Sequence, residues 1–469
     1  MTLQQATDKM EQAGVHPRAI EVFAHYYREL ESGATGLIPE DEVAPVVDVP
    51  HIDDQDVAQP DLQAAMSQTV VLKLNGGLGT SMGMDRAKSL LEVRPGHSFL
   101  DIIVGQIRHA RSTYNAKLPL LLMNSFHTRD DSLAALAGYP DLEVDGLGLD
   151  FLQNQEPKLL VDDLSPVQWP DDPALEWCPP GHGDLYTALE VSGLLDKLLA
   201  AGYRYASMSN SDNLGASPDP RVAAWFAASG APYAAEVCRR TPADVKGGHL
   251  VRRCSDGQLV LRDTAQIPEA DLAAAQDMDT HPYFHTNNLW FDLRALRDTL
   301  TERAGVLGLA LIRNRKTVDP SDPASPAVYQ IETAAGSAVQ VFHGARAIEV
   351  DRSRFRPVKT TDDLLVLRSD VYELGEDFIL TQRAQQPLVE LDSDYYKFIA
   401  DFDQRIPHPP SLVGAQSLSV RGDWTFEAGV TVRGRVRIEG DEQPRIVAPG
   451  TELDDVVLDG AAVDGPSAP

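Results

Sequence analysis

The sequence predicts an α/β protein with a mostly parallel sheet, followed by a short parallel β-helix. Three observations lead there. After residue 70, short apolar runs alternate with helical stretches, the pattern of a sheet whose strands are joined by covering helices. The first run, VVLKL from Val70, passes directly into a glycine-rich loop that ends in Lys88. From Leu418 onward, apolar residues recur every six positions, as they do where short strands wind into stacked coils.

Taken in order, residues 17–31 place Ile20, Phe23, Tyr27 and Leu30 at steps of three and four, with Pro17 suited to a helix start and Gly33 to a stop. This is an amphipathic helix expected to pack on the main domain. From Gly36 to about Pro60 the chain is rich in Pro and Asp and reads as a connecting segment. Candidate strands follow at Val70 (VVLKL), Leu118 (LPLLLM), Tyr203 (YRYASM) and Pro232 (PYAAEVC), with helices at Phe99–Ala110 and Leu185–Ala200 between them. In an open sheet of this kind the ligand lies beyond the carboxyl ends of the strands. The residues just after the runs, Asn75 to Gly79, Asn124 to His127 and Ser209 to Asn213, are polar or glycine-rich. Two β-like runs flank Asp256-Gly257 within His249 to Asp263, a hairpin signal. The most basic stretch, Arg346 to Lys359, carries Arg352, Arg354 and Arg356; in a chain this acidic, an anion-facing role competes with a solvated loop.

At the C-terminus Leu418, Trp424, Val430 and Val436 form one six-residue row, Val420, Phe426, Val432 and Ile438 a second, and Gly422, Ala428, Gly434 and Gly440 a third. About one coil keeps strict register before Asp441 to Pro444 interrupts it. The tail from Gly460 is small and polar and is expected to be disordered.

The 469 residues suffice for a large core and two or three domains. Acidic residues outnumber basic ones 70 to 41, a net charge of −29. Neither a general nucleic-acid surface nor an anionic-membrane surface is expected, so a phosphorylated ligand must be drawn in by local Lys and Arg or by a cation. Cys178, Cys238 and Cys254 form no CxxC pair, which points away from a disulfide framework or a zinc site and fits a reducing cytoplasm. The N-terminal MTLQQATDKMEQ has no basic n-region or apolar h-region, and no apolar run approaches bilayer length, so neither secretion nor membrane insertion is expected.

The glycine loop reads as a phosphate cradle. Gly76, Gly77, Gly79 and Gly83 free the backbone to bring N–H groups close to an anion, and Lys88 adds a full charge. A P-loop needs Gly before its Lys, where Ala87 stands, and a dinucleotide fingerprint from Gly77 needs Gly at the position of Met82. A glycine-rich turn with a solvated Lys is the competing reading. Gln153, following Phe151-Leu152, offers a planar amide suited to a base edge, with an ordinary surface Gln the commoner alternative. In PPGHGD, His182 could donate to phosphate or sugar, with Asp184 as a helix cap the alternative. Asp212, in SNSDN, suits a hard cation that keeps water and phosphate oxygens as its other ligands, as Mg²⁺ does; an Asx-turn is the alternative.

Together, LNGGLGTSMG with Lys88-Ser89, MNSFHT at 123, PPGHGD at 179, SNSDNLGA at 209, KGGHL at 246, HTNNLW at 285, IETAAGSA at 331 and RFRPVK at 354 resemble, in order, the eukaryotic-type UTP:glucose-1-phosphate uridylyltransferases, or UDP-glucose pyrophosphorylases. The resemblance spans about residues 60 to 440. It implies a Rossmann-like mixed-sheet nucleotidyltransferase domain followed by a left-handed β-helix, divided as 1–60 (helical segment and linker), 61–400 (catalytic) and 401–469 (β-helix and tail). It implies reversible formation of UDP-glucose and pyrophosphate from UTP and α-D-glucose 1-phosphate, with Mg²⁺ as cofactor. A β-helix end of this kind usually supports or assembles subunits, which makes it the candidate surface for a homo-oligomer.

By the same resemblance Leu74, Asn75, Gly76 and Gly77 contact uridine, Lys88 the phosphates, and Gln153 and Gly181 the uracil. His182, Asn210, Ser211 and Asp212 meet the sugar phosphate and metal, and Lys246, Asn287, Asn288, Glu332 and Thr333 lie near the sugar or its phosphate. Lys359 stands at the reacting phosphates. Lys88, Lys359 and Asp212 are thus the catalytic candidates. Two positions depart from the family pattern: Ala87 replaces a Pro and His285 an Asn. Other readings are an N-acetylhexosamine or broad-specificity UDP-sugar pyrophosphorylase, and a non-catalytic nucleotide-sugar sensor on the same fold.

Overall fold

The computed structural model describes residues 2–241, 244, 247–440 and 443–459. Its centre is a seven-stranded sheet of β1 (Thr69–Asn75), β2 (Leu120–Asn124), β3 (Asp150–Leu152), β4 (Tyr205–Asn210), β5 (Tyr233–Arg239), β6 (Tyr283–Asp292) and β7 (Arg346–Glu349). They lie in the order β7-β5-β6-β4-β1-β2-β3. β6 runs antiparallel to both its neighbours, while every other pairing is parallel. The run VVLKL is apolar but for Lys73, and both faces of β1 are covered. Val71 joins an apolar cluster on one side and Leu72 the cluster on the other.

The other expected strands lie where the apolar runs placed them. The helix from Phe99 extends to Tyr114, opened by a capping box between Ser98 and Asp101. The expected single helix over Leu185–Ala200 is instead two, Leu185–Val191 and Leu194–Ala200, parted at Gly193, which takes φ +68°. The helix Pro17–Glu31 has the expected bounds, and a second helix, Thr2–Gln12, precedes it. Both contribute to the cluster containing Leu72, and the Leu309 amide donates to the Tyr26 hydroxyl at 2.8 Å. The connecting segment contributes a strand, Val43–Pro45, which pairs with the expected hairpin His249–Arg253 and Leu259–Arg262 in a small sheet of its own.

Beyond residue 387, strands Leu388–Leu391, Ser411–Val420, Thr431–Glu439 and Glu452–Asp454 stack in parallel in that order, and Trp424–Phe426 stacks on Arg445–Val447. Leu418 lies beside Val436, three six-residue steps later. Both apolar rows point inward: Leu418, Trp424, Val430 and Val436 are buried, as are Val420, Phe426, Val432 and Ile438. Lys246, Asp441, Glu442 and the tail from Gly460 lie outside the described residues, so the expectations that fall on them have no structural counterpart.

Trp424 is fully buried; its indole donates to the Arg421 carbonyl and its own carbonyl accepts from the Tyr396 hydroxyl. Trp424→Ala should cost about 3–5 kcal/mol of stability, read as a lower midpoint in urea unfolding followed by far-UV dichroism. An unchanged midpoint would contradict this packing.

Candidate active site

β1 and β4 are parallel neighbours with Leu74 beside Asn210, so the chain leaves both strands at the same place. After β1 it passes through Gly76, where an added Cβ would lie 3.0 Å from the Gln153 side-chain oxygen. The glycine lets the amide of Gln153, just after β3, rest against the loop. Positive φ is realised at Gly79 (+68°) and Gly83 (+72°) and not at Gly76 or Gly77. The Lys88 amide donates to the Gly77 carbonyl at 3.0 Å, folding the loop back on itself. Lys88 Nζ then donates to Asp212 Oδ2 at 2.7 Å and to the Val358 carbonyl.

After β4, the Ser211 amide donates to the Leu74 carbonyl at 3.1 Å, binding the second loop to the first. The Asx-turn belongs to Asn213, whose Oδ1 accepts from the amides of Gly215 and Arg356. That leaves Asp212 free of the turn. One of its oxygens takes Lys88, and the other, Oδ1, is buried without a hydrogen-bond partner.

A third wall comes from the turn before the helix at Leu185. Gly181 has φ +78°, and a Cβ there would lie 2.5 Å from the Thr333 carbonyl. The Thr333 amide donates to Pro180 O at 2.9 Å, seating the strand Ala327–Thr333 against this turn and bringing Glu332 and Thr333 beside it. His182 Nδ1 accepts from the Ala335 amide at 3.0 Å, which leaves Nε2 as the donor in the neutral ring. Much of this side chain is open to the cleft, yet protein surrounds it. Removal from bulk water lowers its pKa below the ordinary imidazole value, with Asp263 opposing. Asp184 does not cap the helix; it accepts from Asn154 N and Nδ2 at 2.6 and 2.7 Å, and burial raises its pKa to about 7.

These walls enclose a cleft of about 330 Å³, lined by Leu74, Gly76, Gly77, Lys88, Met123, Gln153, Pro179, Gly181, His182, Asn210, Ser211 and Asp212. Ten of the residues expected at the site therefore meet in one cavity of ligand size. Met123 and Pro179 were not singled out individually, although each sits in a motif, at the end of the run LPLLLM and at the start of PPGHGD.

The remaining candidates are arranged around it. Asn287 has φ +57° in an irregularity of β6 and donates from Nδ2 to Asn210 Oδ1 at 3.0 Å. Asn288 is buried behind it, with Nδ2 donating to Glu236 Oε2 and the Arg354 carbonyl. Asn75 is buried too, donating to Asn124 Oδ1 and Ser132 Oγ. Both support the cleft without lining it. Lys359 is exposed next to Val358, and its amide donates to Asp363 Oδ2. Lys246 lies outside the described residues.

Arg352, Arg354 and Arg356 of the basic stretch, weighed as a solvated loop or an anion-facing surface, instead bond to groups of the protein itself. Arg354 makes two 2.7 Å bonds to Glu236, Arg352 pairs with Asp244, and Arg356 donates to the Leu380 carbonyl. Burial alone would raise the Glu236 pKa; Arg354, with donors from Trp290 and Asn288, brings it below the usual carboxylate value. A charge in this segment is satisfied by a buried partner rather than by water.

The cleft thus combines loop backbone amides, one ammonium, two side-chain amides, one imidazole donor and one carboxylate with a spare oxygen. That set suits a phosphorylated ligand carrying a planar base. Among the described residues no group of three or more His, Cys, Asp or Glu could hold a metal.

A family profile described as UTP–glucose-1-phosphate uridylyltransferase matches residues 20–433. The chain is similar to the UTP–glucose-1-phosphate uridylyltransferase of Pyrus pyrifolia, at 37% identity over 92% of this chain and 87% of that one. To the Saccharomyces cerevisiae enzyme it is 39% identical over 86% of this chain and 80% of that one. Its fold superposes on the UDP-glucose pyrophosphorylase of Leishmania major with TM-score 0.91 and 42% identity, over 97% and 99% of the two chains. A mutant of that protein solved with UDP-glucose superposes equally well, at 42% identity over 97% and 98%.

His285, the second departure from the family pattern, lies on β6 two residues before Asn287 and its ring packs near Gly336. It is buried, Nδ1 accepts from the Asn287 amide at 3.3 Å, and Nε2 has no partner. Burial, and then the nearby His182, lower its pKa to about 3 from 6.5. Protonation therefore favours the unfolded chain, and stability falls as pH drops from 6.5 toward 3, by about 1.4 kcal/mol per unit. His285→Asn should remove this contribution, so that between pH 7.5 and 5.5 the variant loses about 1 kcal/mol less than the parent in urea titrations. Identical pH dependence would contradict it.

Proposed function

The chain belongs to the UTP–glucose-1-phosphate uridylyltransferase family, and on that premise we propose that the cleft at the ends of β1 and β4 is where UTP meets α-D-glucose 1-phosphate. The reaction is reversible uridylyl transfer: UTP and α-D-glucose 1-phosphate give UDP-glucose and pyrophosphate. The observation that carries the assignment of the site is the convergence of Lys88, Asp212, Gln153 and His182 on one cleft.

The sugar-phosphate oxygen is already an anion at neutral pH and needs neither a general base nor a covalent enzyme nucleophile. It bonds to the α-phosphorus as the bond to the β-phosphate oxygen breaks, and the electron pair leaves with pyrophosphate. The protein must hold two polyanions in line and offset their charge. In our reading the loop from Leu74 through Asn75, Gly76 and Gly77 cradles the nucleotide and Gln153 reads the uracil edge against Gly181. Lys88 leaves Asp212 to meet the phosphates, and Lys359 swings from the rim toward the reacting oxygens. His182, Asn210 and Ser211 face the sugar phosphate. Asn287 and Glu332 approach the sugar with Lys246 and Thr333, while Asn288 acts from behind.

Asp212, with its orphaned Oδ1, fits a Mg²⁺ ion that takes its remaining ligands from water and phosphate. When bound, Mg²⁺ would neutralise and orient the triphosphate oxygens.

We also read the C-terminal stack as a left-handed β-helix, supported by the inward rows and parallel ladders, with 1–60, 61–400 and 401–469 as the three parts of the chain. Ile446 and Val457, exposed on that stack, are candidates for a homo-oligomer contact. A cytoplasmic location is supported by three free thiols; no helix among the described residues is long and apolar enough to cross a membrane.

Pyrophosphate release measured across a panel of nucleoside triphosphates and sugar 1-phosphates should be greatest with UTP and glucose 1-phosphate, and no release with that pair would refute the function. Lys88→Met and Lys359→Ala should each slow single-turnover transfer by on the order of 10²–10³. A near-normal single-turnover rate in either variant would remove that lysine from the reaction.

A further inference from the structure

Lys73 is a charged side chain with no role in the chemistry above. It sits in the middle of β1 and is 1% exposed. Its Nζ donates to Ser209 Oγ at 2.7 Å and to the Ala216 carbonyl at 2.9 Å. Ser209 is the residue before Asn210, the last of β4, and Ala216 follows the loop, so a single ammonium bridges the two ends of the segment that presents Asn210, Ser211 and Asp212 to the cleft. The far side of the same loop is fixed by Asn213, which donates to the Arg354 carbonyl at 3.1 Å, and by Gln106, which donates to the Leu214 carbonyl at 3.1 Å.

Neither Ser209 Oγ nor the Ala216 carbonyl is charged. Burying an ammonium against neutral acceptors carries a desolvation cost that an apolar side chain of similar length would not. The nearby charges are Arg354, Glu236 and Asp212, and burial, followed by Arg354, lowers the Lys73 pKa to about 7. The site is therefore a poor place for a charge on grounds of stability alone. What the lysine provides, and methionine cannot, is two directed hydrogen bonds across the loop ends.

We propose that Lys73 is a positioning residue for uridylyl transfer: by tying Ser209 to Ala216 it fixes the loop that sets Asp212 and Asn210 in the cleft. The inference rests on the reading of Asp212 as part of the active site. Its consequence is a separation of activity from stability. Displacing catalytic groups by about 1 Å costs on the order of 10²-fold in rate, whereas replacing a buried, unpaired charge by an apolar group need not destabilise the fold.

The test compares Lys73→Met, Ser209→Ala, their double variant and Asp212→Asn, each assayed for kcat and for melting temperature. Lys73→Met should lose about 10- to 100-fold in kcat while melting at or above the parent temperature. Ser209→Ala, which removes one acceptor, should fall in the same direction by a smaller factor. The double variant should be no slower than Lys73→Met alone, because both substitutions break one bridge. Activity of Lys73→Met within threefold of the parent, or a loss that follows a lowered melting temperature, would overturn the proposal. Should Lys73→Met not fold, parental kcat in Ser209→Ala would overturn it. If Asp212→Asn retains parental activity, the reading of the site has failed; if it is inactive while Lys73→Met is not, only the role of Lys73 has.

Discussion

The structure turns on the ion pair between Lys88 and Asp212. The two residues are 124 positions apart in the chain and meet because β1 and β4 are adjacent and parallel, so that the loops leaving them begin side by side. Everything that lines the cleft is placed relative to that pair. The first loop is folded back by the Lys88 amide on Gly77, and the second is tied to the first by the Ser211 amide on Leu74. Before substrate arrives the two charges satisfy each other, which suits a site in a protein of net charge −29. A half-buried ammonium and carboxylate left apart would each carry a desolvation cost. On the proposed reading, the phosphates of UTP replace Asp212 as the partner of Lys88, and the released carboxylate becomes available to a divalent cation. The pair would then be a placeholder for the charges that the reaction brings.

Behind it lies a second pairing that does not exchange. Glu236 is fully buried and accepts from Arg354, Asn288 and Trp290, leaving neither oxygen unsatisfied. The Arg354 carbonyl in turn receives Asn213 and Asn288. This network joins β5, β6 and the segment 352–358 under the loop after β4. In the same segment Val358 is held both by the Asp212 carbonyl and by Lys88, so the exposed Lys359 follows directly on the central pair. Removing either member of such a buried pair alone leaves an uncompensated charge, which is why the segment acts as a fixed support rather than as a mobile basic loop.

The sequence made the strands, the glycine loop and the six-residue rows legible, because each rests on a local period or on a local turn. Val70 to Leu74 carries apolar residues to both faces whichever helices cover it, with Lys73 the one exception, and Leu418 to Ile438 repeats at six whatever it packs against. The site was legible as motifs, and the family resemblance gave them roles, but their depth was not. Asn75 and Asn288 sit in motifs beside true lining residues and yet turn inward, since an asparagine buried under hydrogen bonds and one facing a ligand read alike. The arginines of 352–356 fit neither of the two roles weighed for them, a solvated loop or an anion-facing surface, for the same reason. The partners of Arg354 and Arg352, Glu236 and Asp244, lie more than a hundred residues away, and no spacing rule reaches that far. The break at Gly193 and the Asx-turn at Asn213 in place of Asp212 are local, but they depend on which of two neighbouring residues the tertiary structure allows to turn.

The most direct test of the central pairing is binding of Mn²⁺ alone, without nucleotide, followed by electron paramagnetic resonance for the parent, Lys88→Met and Lys88→Met/Asp212→Asn. If Lys88 holds the carboxylate, the single variant should bind Mn²⁺ at least about 10-fold more tightly than the parent, about the effect of removing an adjacent like charge, and the double variant should lose that gain. Equal or weaker binding by Lys88→Met, or a gain that survives loss of Asp212, would contradict the account.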